Sequence, residues 1–188
     1  MYYIDTNVLL SYVFKSDRKH NQARDIMENE IKGAQIYLSS LTIVEMKASL
    51  IRLIRGGSNL IKPIEEILQK FDEEKRVDVL LSIVLGYLKS RFNIHIADDE
   101  FLNSLYNLIN LSVLPSAKNK VIRSFARALE LSRILTLRTL DLLHLIYAEA
   151  LKRRGFVSVF VTFDKDFIKN AEVIKRNLGI DVIPKVNF

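Results

Sequence analysis

Apolar and polar positions along the chain alternate between two periods, one of strands and one of helices. Tyr2 to Ile4 reads as a short strand and Gln35 to Leu38 (QIYL) as a second. Ile109 to Leu114 (INLSVL), stopped by Pro115, reads as a third, and Asp181 to Ile183 as the last, before Pro184. Phe156 to Thr162 (FVSVFVT) has the near-continuous apolar run of a strand buried on both faces. Helical spacing predicts a helix through Leu9 to Ile31 with a break near Ser16 and Asp17, and another from Ile43 to Arg55, ended by Gly56-Gly57-Ser58. Pro63 opens a further helix, with Ile64, Ile67, Leu68 and Phe71 on one face. Helices are also expected over Asp98 to Leu108, Lys118 to Leu135, Leu140 to Arg153 and Asp166 to Asn177. Two helical stretches are apolar nearly all round. Val77 to Leu88 is expected to be covered by the protein's own core or by another chain, and LLHLIYAEAL, within Leu140 to Arg153, to sit in the middle of the fold.

Strands separated by helices predict an α/β fold, with a central parallel sheet of about five strands flanked by helices. The sequence has no internal repeat, low-complexity tract or linker, so residues 1–188 are expected to form a single domain. In sheets of this kind ligands bind beyond the C-terminal ends of the strands, near the point where strand order reverses. That edge is where candidate chemistry is sought.

Composition narrows the chemistry. The 188 residues are 49% hydrophobic, enough to bury a core, and include no cysteine, which excludes disulfides, thiolate metal sites and cysteine nucleophiles. A cytoplasmic location is expected. The opening MYYIDTN lacks the charged and apolar regions of a secretory leader, and Val79 to Leu88, interrupted by Ser82 and Gly86, is too short for a membrane span; no membrane partner is expected. Charge is uneven: residues 1–114 carry net −1 and residues 115–188 net +7. A basic C-terminal part suits a polyanion such as nucleic acid, and equally a solvated basic surface.

Asp5 directly follows the first predicted strand and Asp164 the FVSVFVT strand, so both carboxylates belong at the C-terminal edge of the sheet. Glu45 and Asp141 lie in the first turns of helices, whose N-termini share that edge in a parallel α/β sheet. Four carboxylates in one place repel each other unless a cation holds them, and oxygen-only ligands select hard ions. Each acid also has a structural reading. Thr42 and Glu45 match a T-x-x-E capping box, Asp141 complements its helix dipole, Asp164 or Asp166 caps the helix that follows, and Asp5-Thr6-Asn7 forms a turn and cap. His144, three residues after Asp141, either faces the site or is a satisfied core histidine.

YIDTNVLL, SSLTIVEMKASL, TLDLLHLIYAEAL and VTFDKDF resemble, in this order, the four acidic motifs of PIN-domain nucleases, the family that includes VapC-type toxins. The resemblance covers about residues 1–55 and 109–184 and implies a PIN-like fold with a helical insertion over 56–107. It makes Asp5, Glu45, Asp141 and Asp164 the catalytic, metal-binding acids, with Thr6, Asn7 and Thr162 as polar support. Asp166 matches a position just outside, where capping is expected ahead of ligation. The implied activity is a Mg²⁺- or Mn²⁺-dependent endoribonuclease, with RNA as substrate and with an antitoxin protein and a second copy of the chain as candidate partners. Arg123, Arg127, Arg138, Lys152 and Lys165 are candidates for holding the RNA backbone. A catalytically silent PIN-like RNA-binding or scaffold subunit is the alternative. A phosphatase with a strand-end aspartate nucleophile is disfavoured, because Asn7 stands where its second aspartate belongs.

Overall fold

The computed structural model describes residues 1–56, 62–97, 108–110 and 120–184. Strand β1 (Tyr2–Ile4) leads into helix α1 (Thr6–Val13) and α2 (His20–Asp25), which continues as a π-helical turn over Ile26–Glu30. The expected break near Ser16 and Asp17 separates the two helices. Then follow β2 (Gln35–Ser39), α3 (Ser40–Arg55), α4 (Lys62–Leu68), α5 (Glu73–Arg91) and β3 (Asn93–Ala97). A hairpin of β4 (Leu108–Asn110) and β5 (Lys120–Ile122) precedes α6 (Arg123–Leu131) and α7 (Thr139–Arg153). The chain ends with β6 (Val159–Val161), α8 (Lys165–Lys169), α9 (Ala171–Leu178) and β7 (Asp181–Ile183). Gly179, in the left-handed conformation at φ 63°, turns the chain from α9 into β7.

The five-stranded sheet is parallel throughout, in the order β3-β2-β1-β6-β7. Strand order therefore reverses between β1 and β6, the topological switch point of the sheet. Strand alternation sorts side chains between two cores. Tyr3, Phe160 and Val182 face α6, α7, α8 and α9, while Ile4, Ile36, Leu38 and Val161 face α1, α2, α3 and α5. On the first face Phe160 stacks between Tyr3 (ring centroids 5.1 Å) and Phe167 (4.8 Å). Helix α7 lies against this layer with Leu142, His144, Leu145, Ile146, Ala148 and Leu151 buried, as its apolar pattern predicts.

Several expectations need correction. The third strand of the sheet is Asn93–Ala97, which pairs with β2 over its whole length. Of the Ile109 to Leu114 segment, Ile109 and Asn110 belong to the antiparallel hairpin, and the rest lies outside the described residues. NIHIA carries the period-2 alternation of a half-covered edge strand, but only Phe92 separates it from α5, so no turn signal marks where the helix ends and the strand begins. Lys120–Ile122 is a strand where helix was expected, and the helix from Asp166 to Asn177 is two helices broken at Asn170. The predicted helix over Asp98 to Leu108 falls outside the described residues except for Leu108, which is in β4. Nor is α5 covered all round. Val77, Leu80, Val84 and Leu88 form a buried stripe in the core with α1 and α3, Val79, Leu81 and Leu85 are partly covered, and Ser82, Gly86 and Tyr87 are exposed. On and just after α4, Leu68 is buried while Ile67 and Phe71 are exposed.

Candidate metal centre

Register brings Asp5 to the switch point. Ile4 pairs with Val161, so Asp5 lies beside Thr162, and the Asp5 amide donates to the Val161 carbonyl at 2.9 Å. Asp5 occupies the N-cap position of α1, yet its side chain makes no capping bond. Its Oδ2 instead accepts from the Thr162 hydroxyl at 2.6 Å and from Asn7 Nδ2 at 2.7 Å. Asn7 is held in turn, its Oδ1 accepting from the Phe163 amide at 3.0 Å. A carboxylate buried to this degree (6% exposed) is pushed above its ordinary pKa by burial, which outweighs the hydrogen bond from Thr162.

Glu45 enters from α3. Ser39 caps that helix, with its side chain accepting from the Thr42 amide, so Thr42 is the third helical residue and not a cap. The T-x-x-E capping box is thereby excluded and Glu45, on the second turn, is released from any role at the helix start. Its Oε2 accepts from Thr6 Oγ1 at 2.9 Å and lies 2.8 Å from His144 Nε2. Burial raises the Glu45 pKa, but the hydrogen bond and charge of His144, with Thr6, overcome it and hold Glu45 below its ordinary value. One ligand atom from each of Asp5, Glu45 and His144 lies within 4.8 Å of the others, a group of a size that can hold a metal ion.

Asp141 and Asp164 line the same cleft, which encloses about 930 Å³. Asp141 accepts from the Arg138 amide at 3.2 Å through Oδ2, and Asp164 caps α8 by accepting from the Asp166 amide at 2.8 Å through Oδ1. The structural readings of these two acids therefore hold as geometry, and they leave further oxygens for the cleft. Asp141 sits above its ordinary pKa because it is half-buried and because Asp164 and Asp5 repel its charge. Arg138, largely exposed, spans the pair, 3.7 Å from each carboxylate. Asp164, not Asp166, is the cap; Asp166 lies in the first turn of α8 and pairs with Lys169 at 3.6 Å.

Among the predicted basic residues, Arg138 lines the cleft and Lys165 follows Asp164 directly. Arg123 is exposed at the start of α6. Arg127 is committed elsewhere, with two nitrogens at 3.0 Å from the Glu149 oxygens and a third at 2.7 Å from Glu130, fastening α6 to α7. Lys152 donates to the Leu178 carbonyl from the last turn of α7, about 16 Å along the helix from Asp141 at 1.5 Å per residue. The cleft's other cations, Arg18, Lys19 and Arg52, all come from the N-terminal half, where net charge gave no hint of them. Arg52 falls seven residues after Glu45 on α3, two helical turns along one face, a spacing that points it to the same cleft.

The donor set fits a hard divalent cation: carboxylate oxygens in excess, two of the acids held above their ordinary pKa, and a histidine nitrogen already engaged by one of the acids. A family model described as PIN domain matches residues 2–98, a span that includes Asp5 and Glu45 and stops before Asp141 and Asp164. Of solved structures, that of VapC20 from Mycobacterium tuberculosis, described as a toxin cleaving the sarcin-ricin loop, is similar at 12% identity and a TM-score of 0.47, covering 89% of this chain and 92% of that one. None of the curated proteins matches the chain.

Proposed function

The chain belongs to the PIN-domain family, and from that premise we propose that it is a metal-dependent endoribonuclease hydrolysing RNA phosphodiester bonds. The observation that carries this reading is the convergence of Asp5, Glu45, Asp141 and Asp164 on one cleft at the switch point of the sheet, with Asp5 and Asp141 carrying charge that burial penalises. Asp5 and Glu45 would hold a Mg²⁺ or Mn²⁺ ion, with Asp141 and Asp164 completing the acidic wall. When bound, the ion supplies Lewis acidity at the phosphate and lowers the pKa of the attacking water. The protein's own part is to fix those oxygens, Asp5 through Thr162 and Asn7 and Glu45 through Thr6. Arg18, Lys19, Arg52 and Arg138 line the walls for the RNA backbone, and Lys19 is anchored by donating to the Phe163 carbonyl at 2.9 Å.

The RNA substrate would be cut in the cytoplasm, in keeping with a chain whose described helices are all too short or too polar to cross a membrane. The motif resemblance to VapC-type toxins makes an antitoxin protein a candidate partner. A second copy of the chain is another, with exposed Ile67, Phe71 and Tyr87 as candidate contacts. The helical insertion expected over 56–107 would then have α4 and α5 as its described part, with β3 rejoining the sheet. Purified protein should cleave single-stranded or looped RNA in Mg²⁺ or Mn²⁺ and lose the activity in EDTA; equal cleavage in both would defeat the proposal.

Arg52, which lines the cleft, and Arg127, which joins α6 to α7, should behave in opposite ways. Arg52→Ala is expected to weaken RNA binding several-fold and to reduce the salt slope by about 1, with the melting temperature unchanged. Arg127→Ala is expected to cost about 1–3 kcal/mol of stability, because it removes two hydrogen bonds from the buried Glu149 carboxylate and leaves it, among the described residues, only Arg153, and to leave RNA affinity intact. Filter binding at two salt concentrations and thermal melts separate the two outcomes.

A further inference from the structure

Behind Glu45 lies a chain of buried polar atoms that holding a cation does not itself require. Tyr3 is fully buried, and its hydroxyl lies 2.6 Å from Ser39 Oγ, 3.3 Å from Thr42 Oγ1 and 2.8 Å from His144 Nδ1. His144 is 2% exposed and engages Glu45 Oε2 through its other nitrogen at 2.8 Å. Phenylalanine and leucine would fill the same space without the cost of desolvating a hydroxyl and an imidazole, a cost that only complete pairing offsets. The pairing is complete: no buried side-chain nitrogen or oxygen among the described residues lacks a partner.

Direction follows from chemistry. A carboxylate only accepts, so His144 Nε2 carries the hydrogen that it donates to Glu45, and Nδ1 is left to bond the Tyr3 hydroxyl. The Tyr3 oxygen also bonds Ser39 and Thr42. The chain so formed starts at Ser39, the last residue of β2 and the cap of α3, crosses β1 at the centre of the sheet, passes through α7 and reaches α3 at Glu45, tying four elements to one oxygen atom. Thr6 donates to that same oxygen, so both bonds fall on Oε2 and Oε1 takes none from the described residues.

We propose that Tyr3 and His144 are positioning residues, a buried strut that locks the Glu45 side chain by Oε2 and presents Oε1 to the cation in the cleft. His144 is thus a support for a ligand and not itself a ligand. The inference rests on the metal-site reading above and deepens it. Partners of this kind typically change metal affinity by about 10–100-fold when removed.

The test is Mn²⁺ affinity, read from the free-ion paramagnetic resonance signal, for wild type, Tyr3→Phe, His144→Leu, His144→Gln and Glu45→Gln, with thermal melts of each in EDTA. Tyr3→Phe keeps the ring that stacks on Phe160 and removes one hydroxyl; it should weaken Mn²⁺ binding about 10-fold. His144→Leu should weaken it by about 10–100-fold, and His144→Gln, whose amide N–H reaches the place of Nε2–H, should recover most of the loss. If Tyr3→Phe and His144→Leu bind Mn²⁺ as wild type does while Glu45→Gln loses it, the strut is overturned and the metal site stands. Wild-type binding by Tyr3→Phe together with equal losses in both His144 variants makes His144 a ligand and overturns the strut as well. Should His144→Leu fail to fold, Tyr3→Phe decides alone. A wild type that binds no Mn²⁺ overturns the site and the strut together.

Discussion

Asp5→Asn is expected to reduce RNA cleavage by about 10³-fold or more, since holding the ion at the phosphate is worth several kcal/mol of transition-state stabilisation and each 1.36 kcal/mol is tenfold in rate. The same variant, freed of metal, should be at least as stable as wild type. Asparagine keeps an oxygen for Thr162 and Asn7, so the hydrogen bonds that place residue 5 survive while the buried charge is gone. The pH dependence has a definite sign. The folded-state pKa of Asp5 is raised, so its contribution to stability is present in full below the unfolded value, about 3.9, and is lost as pH rises through the folded value. In EDTA the melting temperature of Asp5→Asn should therefore gain on wild type from about pH 4 upward and level off once the wild-type carboxyl is fully ionised. A variant that melts lower than wild type at neutral pH in EDTA, and still cuts RNA, would make Asp5 a structural residue.

Mn²⁺ should raise the melting temperature of the wild type by about 5–10 °C at a free concentration near 100 times Kd. Mass action on the folded state alone supplies about 2.7 kcal/mol there, and a chain of this size shifts about 2–4 °C per kcal/mol. Asp141→Asn should blunt the rise. Its side-chain oxygen still accepts from the Arg138 amide, so the start of α7 is preserved and the loss reports on the ion. The burial of charge that raises the Asp141 pKa, and the repulsion from Asp164 and Asp5 that adds to it, disappear with the charge, so the metal-free melt should not fall. A full Mn²⁺ shift in Asp141→Asn would remove that carboxylate from the site.

The periodic parts of the chain were legible because each segment carries its own period. Tyr2 to Ile4, Gln35 to Leu38 and Asp181 to Ile183 read as strands, and Leu140 to Arg153 as a buried helix, from a handful of adjacent residues, each within one residue of the observed bounds. Asn93–Ala97 was hidden although its alternation is plain, because it sits one residue beyond a long helix and Asn93 and His95 stay exposed at the edge of the sheet. The cap of α3 was misplaced by three residues: Ser39 offers a helix start the same hydroxyl as Thr42, and only the backbone shows which of the two starts the helix.

For the site, sequence by itself determined which edge of the sheet to search and which four carboxylates reach it, since strand ends and helix starts in a parallel α/β chain lie on one side whatever the details. Tertiary structure alone decided how those acids are held. The pairing of β1 with β6 sets Asp5 beside Thr162, and the packing of α7 on the sheet carries His144 to within 2.8 Å of both Tyr3 and Glu45, residues 141 and 99 positions away in sequence. It also spent Arg127 and Lys152 on Glu149 and the end of α9, and turned Arg18, Lys19 and Arg52 toward the cleft. The physical reason is one of scale. A hydrophobic pattern assigns a residue to a face or an edge, a matter of several ångströms, whereas a hydrogen bond or a metal ligand is made or lost over a few tenths of one, and that precision exists only once distant elements have packed.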